Sequence, residues 1–270
     1  MLVVEKDIPY SRPDRFKLYP LGDIHLGSLH CAENEIYKQV EVIRKDKNAY
    51  WIGMGDYCDS ITKNDKRFEM GGLAPWVIVD DIIESQRKRI VNLLKPIQSK
   101  CLGLITGNHE ESIHQFHQDD ITRHICDDLN VPYLGYSCYV VLKFKRKNSN
   151  EVWQVITHAW HGAGAAQTEG SRLNRLMRLV NEIEADIYLM GHLHAMTQHT
   201  PDRLTYRNGR VRSQKLAATI TGSWLKAYNQ PNEGERECIS YAERQGYKPS
   251  RIGCPVVHLY PEGREFTIEG

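Results

Sequence analysis

The chain has 270 residues, a formal charge of +1 and 41% apolar residues, ordinary values for a chain that buries a sizeable core. Near-neutral charge excludes a field that would recruit nucleic acid or a membrane surface as a whole, leaving only local patches. No run reaches the ~18 apolar residues of a membrane span. The opening MLVVEKDIPY has no charged leader followed by a long apolar stretch. Seven scattered cysteines without CxxC spacing predict neither a disulfide framework nor a thiolate metal site, and make a reducing cytoplasm the expected compartment. Of these, Cys58 and Cys238 matter below; Cys58, inside a tight loop, reads as a small filler side chain.

In chain order, an apolar strand predicted at 16–21 runs into GDIHLG (22–27), and Ile36, Val40 and Ile43 follow at helical spacing. A strand at 50–54 runs into GDYCD (55–59). Ile78, Ile82, Ile90, Leu93 and Leu94 predict a helix after Pro75 that Pro96 ends. A strand at 101–106 runs into GNHE (107–110). The stretches 136–145 and 152–156, joined by a polar KNSNE turn, predict a hairpin that runs into THAWHG (157–162). Leu173, Leu176, Met177, Val180 and Ile183 predict a third helix, and a strand at 187–190 runs into GHLH (191–194). Strand-like segments at 202–207, 211–224 and 255–260, with Asn208-Gly209 as a tight turn, predict a second antiparallel layer in the last third. Helices between short apolar strands imply layered α/β packing in one domain over 1–270.

Asp, His and Asn at five strand ends converge, because reactive groups of open α/β sheets collect beyond the carboxyl ends of the strands. Glycines beside nearly every one let the backbone turn the side chain inward. Oxygen and imidazole donors without thiolate suit hard or borderline divalent ions, manganese first, with iron, zinc or nickel as alternatives. In GHLH, an extended backbone would point His192 and His194 to one face.

With all five motifs in this order, residues 16–195 resemble the calcineurin-like metallophosphoesterase superfamily, whose signature runs DxH, GDxxD, GNH[DE], a strand-end His and GHxH. DIHLG is similar to nuclease members, while the Gly-rich loop after THAWHG, the AATITGSWL run and the G-x-P-V ending are similar to phage or prophage relatives. Ser60 and Thr106 stand where protein Ser/Thr phosphatases carry Arg, a departure from that branch. The resemblance implies a four-layer sandwich of two packed mixed β-sheets flanked by helices, and two divalent ions about 3.5–4 Å apart. Asp56 would bridge them, with Asp23, His25 and His194 on one ion and Asn108, His158 and His192 on the other. His161 competes with His158, which is preferred as nearer the strand end. His109 would face the substrate and protonate the leaving oxygen, and the Asp59 carboxylate would orient it.

Arg172, Arg175 and Arg178 share a polar flank of the third helix, and Arg172 and Arg175 are candidate substrate contacts on a phosphate track, against a plain solvated face. Trp224 and Tyr228 could stack a base, though aromatics are more often core, and His114 and His117 read as solvated. The expected activity is hydrolysis of a phosphoester, with a phosphodiester or nucleic acid ahead of a small phosphomonoester and no membrane partner. The rival is a non-catalytic metal-binding scaffold, which has no use for His109.

Overall fold

Strands buried on both faces carry the architecture, and the period of two along each strand decides what each face meets. The computed structural model describes residues 1–228 and 239–270, so Cys238 lies outside the described residues. The strands are β1 (Leu2–Tyr10), β2 (Phe16–Leu21), β3 (Ala49–Gly53), β4 (Cys101–Leu104), β5 (Ser137–Arg146), β6 (Val152–Trp160), β7 (Ile187–Met190), β8 (Met196–His199), β9 (Asp202–Arg207), β10 (Arg210–Lys215), β11 (Ala217–Thr221), β12 (Val256–Tyr260) and β13 (Glu265–Glu269). The helices that matter are α1 (Glu33–Lys45), α2 (Ile82–Leu94), α3 (Asn108–His117), α4 (Ile121–Leu129) and α5 (Glu169–Glu182).

One sheet runs β1-β5-β6-β7-β11-β8 and the other β13-β12-β2-β3-β4, both mixed. In β7, Ile187 and Leu189 face the second sheet and, with Val140, Leu142 and Val155 of their own sheet, pack on its Leu18, Ile52 and Val257. Tyr188 and Met190 point the other way, onto Leu176, Leu179 and Val180 of α5. The second sheet turns Tyr19, Leu21 and Trp51 outward against Ile36, Val40 and Ile43 of α1, with Ile90, Leu94, Ile125 and Leu129 of α2 and α4. The result is the helix–sheet–sheet–helix sandwich that the motifs imply.

Four expectations change. The last third is not a separate antiparallel layer: β11 enters the first sheet parallel to β7, with β8 beyond it, while β12 and β13 extend the second sheet beside β2. The stretch 211–224 breaks at Leu216 into β10 and β11, and β9 with β10 forms a two-stranded hairpin of its own. The helix after Pro75 starts at Ile82, leaving Ile78 outside it and 59% exposed. Finally, β6 runs on through His158 to Trp160, which alters the candidate site. No helix among the described residues is long and apolar enough to cross a membrane.

Candidate metal centre

The motifs sit at the carboxyl ends of β2, β3, β4, β6 and β7, and all but THAWHG, whose first four residues close β6, begin beyond the last residue of the strand. The chain turns inward there by adopting a left-handed backbone at the functional side chains themselves. Asp23 (φ 48°), His25 (51°), Asp56 (53°), His192 (70°) and His194 (46°) all do so. Such a conformation costs about 1–3 kcal/mol per residue and persists only where neighbours enforce it. Here Asp23 N donates to Gly55 O (2.9 Å), His25 N to Asp56 O (3.0 Å), and Trp224 N and Ser223 Oγ to Asp23 O (3.0 and 2.9 Å). The GSW run is therefore a brace for the first motif, and Trp224 is buried in the core rather than free to stack a base. Tyr228 Oη donates to Tyr247 O, and His114 and His117 are exposed. In GHLH the rings converge through two left-handed kinks, not through strand pleating.

Close approach of two loops needs Gly55 and Gly107. A Cβ on Gly55 would lie 2.5 Å from Gly107 N and 2.6 Å from His161 Nδ1, and one on Gly107 would overlap the Asp56 carboxylate. Glu110, buried at the start of α3, accepts from the backbone N–H groups of Asp56, Tyr57, Cys58 and Gly107 (2.7–3.2 Å across the set). It holds GDYCD against GNHE, a role no motif spacing reveals. Cys58 is fully buried and burial pushes its thiol up, so it supplies no thiolate.

The side chains gather around Asp56. Asp23, His25, Asp56 and His194 form one group of donors, and Asp56, His161 and His192 another. Asn108 joins the second, its Oδ1 2.7 Å from His192 Nδ1 and 3.0 Å from His161 Nε2. His161 Nε2 is 3.4 Å from Asp56 Oδ2, and His194 Nε2 is 3.3 Å from Asp23 Oδ1.

These residues fit divalent ions by a test of their own protons. His161 Nδ1–H donates to Met54 O (2.7 Å) and His192 Nε2–H to Gly164 O (3.0 Å). In the neutral rings the lone pairs of His161 Nε2 and His192 Nδ1 then both face the Asn108 oxygen, acceptor against acceptor. His25 Nε2 and His194 Nε2 meet at 3.0 Å, a pair that one proton or one cation can join. Only a cation or a proton between them relieves such contacts. Burial lowers the pKa of His25 and His192, favouring the neutral donor form. Burial alone would lower His161 too, but the Asp56 carboxylate outweighs it and raises that ring to about 10. Although burial opposes its charge, Asp56 is held well below the usual carboxylate range by His161 and His109.

The expected place of His158 is corrected. Because β6 continues to Trp160, His158 lies inside the strand, on the face shared by Ile156 and Trp160 that looks toward α5. It is 1% exposed, its ring nitrogens have no hydrogen-bond partner, and burial lowers its pKa to about 4. His161, the first residue past the strand, stands in the cluster instead. Alternation of Ile156, His158 and Trp160 against Val155, Thr157 and Ala159 is the signal in the sequence that separates the two.

Two further roles shift. His109 Nδ1–H donates to the main-chain carbonyl of Asp59, not to its carboxylate. That carboxylate instead stands 3.5 Å from His25 Nδ1. Arg172 and Arg175 do not reach the cluster: Arg172 Nε donates to Ala166 O (3.1 Å), and Arg175 Nη1 and Nη2 donate to Ala163 O and Ala165 O (2.7 and 3.2 Å). They clamp the loop whose Gly164 carbonyl aims His192. Arg67, which no motif marks, brings Nη1 to 3.4 Å from His109 Nε2.

A family model described as calcineurin-like phosphoesterase matches residues 16–196. Similar solved structures include a predicted phosphoesterase of Streptococcus pneumoniae, 13% identical, covering 91% of this chain and 84% of that one at a TM-score of 0.34. A nuclease of Pseudomonas putida is 11% identical, covering 93% and 85% at 0.33. An NAD nucleotidase of Haemophilus influenzae is 9% identical, covering 95% and 49% at 0.41. No curated protein sequence matches the chain.

Proposed function

Since the chain belongs to the calcineurin-like phosphoesterase family and is thereby a metal-dependent phosphoester hydrolase, we propose that it cleaves a phosphodiester such as nucleic acid at a centre of two divalent ions, manganese first. The observation that carries this reading is the gathering of Asp23, His25, Asn108, His161, His192 and His194 around the Asp56 carboxylate. Asp23, His25 and His194 would hold one ion, Asn108, His161 and His192 the other, and Asp56 both. Ions held there would neutralise phosphoryl charge and lower the pKa of water to make a nucleophile.

The remaining chemistry belongs to the chain. His109 presents Nε2 to the cleft, since its Nδ1–H is donated to Asp59 O. Burial disfavours its charge, yet Asp56 and Asp59 outweigh that and raise its pKa, which keeps the imidazolium that a general acid needs. A proton delivered from Nε2 to the leaving oxygen is a role without meaning in a scaffold. The preference for a diester rests on charge: Arg67 is already paired with Asp65 (Nη2–Oδ2 2.7 Å), so the pair brings little net charge for the second negative charge of a monoester. The presence of Arg67 at all favours the second reading, a small-molecule phosphomonoesterase.

Hydrolysis of bis(p-nitrophenyl) phosphate, p-nitrophenyl phosphate and single-stranded DNA by manganese-loaded protein tests the choice. The diester should be cleaved faster than the monoester. The reverse order by tenfold, about 1.4 kcal/mol in barrier, selects the second reading.

A further inference from the structure

A guanidinium has five N–H donors in a fixed fork, and what is left after its internal partners are counted shows what it awaits. In Arg67, Nε lies 3.1 Å from Asp65 Oδ1 and Nη2 2.7 Å from Asp65 Oδ2, a two-pronged pair that uses one edge of the fork. The backbone N–H of Arg67 also donates to Asp65 Oδ1 (2.8 Å), which locks the pair within one turn. Phe68, the next residue, packs on Ala74, Val77 and Ile82 and anchors that turn to the body of the protein.

The free edge, Nη1, faces His109 Nε2 at 3.4 Å. His109 Nδ1–H is given to Asp59 O, so Nε2 is the ring atom turned toward Arg67. Among the described residues, Asp65 and His109 engage three of the five N–H groups of Arg67, and the second N–H of Nη1 and that of Nη2 are left beside His109. An oxygen bearing negative charge accepts from them, and charge-assisted bonds of this kind are about twice as strong as neutral ones. His109 is buried, whereas Arg67 is exposed and open to an incoming anion.

We infer that Arg67 is a substrate-binding residue of this centre, gripping a phosphoryl or leaving-group oxygen beside His109, and that Asp65 tunes how much negative charge it accepts. The inference rests on the hydrolase reading above for the identity of the anion. It supplies from a loop eight residues beyond Asp59 the cation that Ser60 and Thr106 do not provide.

The test uses the full chain loaded with manganese, with inorganic phosphate as the probe and Arg67→Ala, Arg67→Lys and Asp65→Asn as variants. Bound metal, phosphate affinity by calorimetry, and KM and kcat for the two nitrophenyl esters are read together. Arg67→Ala should keep its ions and weaken phosphate binding by about 10–100-fold, the usual worth of a hydrogen bond between charged partners. KM for both esters should rise, and Arg67→Lys should recover part of the loss. In Asp65→Asn the amide oxygen can still accept from the Arg67 backbone, so the turn holds while the countercharge disappears. Phosphate should then bind more tightly and the monoester-to-diester ratio of kcat/KM should rise about tenfold, a change that a purely structural residue would not produce. Phosphate binding is read without turnover. A wild-type protein that binds phosphate through Arg67 but hydrolyses no ester would therefore defeat the hydrolase reading alone. Equal phosphate affinity in wild type and Arg67→Ala, with the ions retained, overturns the inference, as does an unchanged ester ratio in Asp65→Asn.

Discussion

Replacing His161 and His158 one at a time separates a ligand from its near neighbour in sequence. His161 is fully buried, with Nε2 3.4 Å from Asp56 and 3.0 Å from Asn108. A partner that only orients a metal ligand is worth 10–100-fold in affinity, so loss of the donor itself should cost at least ~100-fold for one ion, or about 2.7 kcal/mol. His161→Ala should therefore retain about one ion per chain, where wild type retains two. His158 gives the opposite expectation. Its two ring nitrogens are buried without hydrogen-bond partners, and an unsatisfied buried polar group costs about 1–3 kcal/mol. His158→Phe keeps a planar ring against Tyr139, beside a cavity of about 390 Å³ that can take up the extra volume. It should leave both ions bound and hold or raise the stability of metal-free protein by about 1 kcal/mol, which corresponds to ~2–4 °C in Tm. Elemental analysis after manganese loading and scanning calorimetry in chelator read the two quantities. A His158→Phe protein that loses an ion, beside a His161→Ala protein that keeps both, would refute the reasoning.

Three other perturbations have defined outcomes. His109→Ala should keep the ions and slow cleavage of an alkyl or nucleotide diester by about 10²–10⁴-fold, while a nitrophenyl ester, whose leaving group needs no proton, loses far less; equal losses would remove the general-acid role. His161 has a folded-state pKa of about 10, raised above 6.5. Its contribution to the stability of metal-free protein is fully present below 6.5 and lost as pH rises through about 10. Metal must displace that proton, so affinity should climb about tenfold per pH unit across this window, with about one proton released per chain in buffer-dependent calorimetry, and release of none would contradict it. Arg175→Ala removes both clamps on the 163–165 carbonyls, so His192 loses its aim. It should raise the manganese requirement by about 10–100-fold with activity restored at excess metal, whereas a salt-sensitive loss on DNA alone would return Arg175 to the substrate track.

Much of this centre was legible because its donors are tied to strand ends, and strand ends follow from apolar runs that stop at Gly. Asp23, His25, Asp56, Asn108, His192 and His194 come together in the fold from that logic alone. His158 misleads because a partly buried strand does not announce its last residue: Thr157 to Trp160 reads as loop once a His interrupts the apolar run, yet β5 pairs with it through Trp160. The Asp59 carboxylate and the Asp59 carbonyl are indistinguishable in a sequence, so the partner of His109 emerges only from the backbone path. Arg67 and Glu110 act through contacts across loops, to His109 and to four N–H groups, that no spacing encodes. In the last third, alternation reports strands without saying which sheet accepts them, and β11 and β12 went to different ones.

On the reading proposed above, Asp56 and the six side chains gathered around it hold two ions, and phosphoester hydrolysis depends on both. Titrating manganese into metal-free protein while following cleavage of bis(p-nitrophenyl) phosphate tests it most directly. Two ions per chain at saturation, activity that appears with the second equivalent and loss of both ions in Asp56→Asn are the expected results. Saturation at one ion with every ligand intact, or cleavage that persists unchanged in chelator, would contradict it.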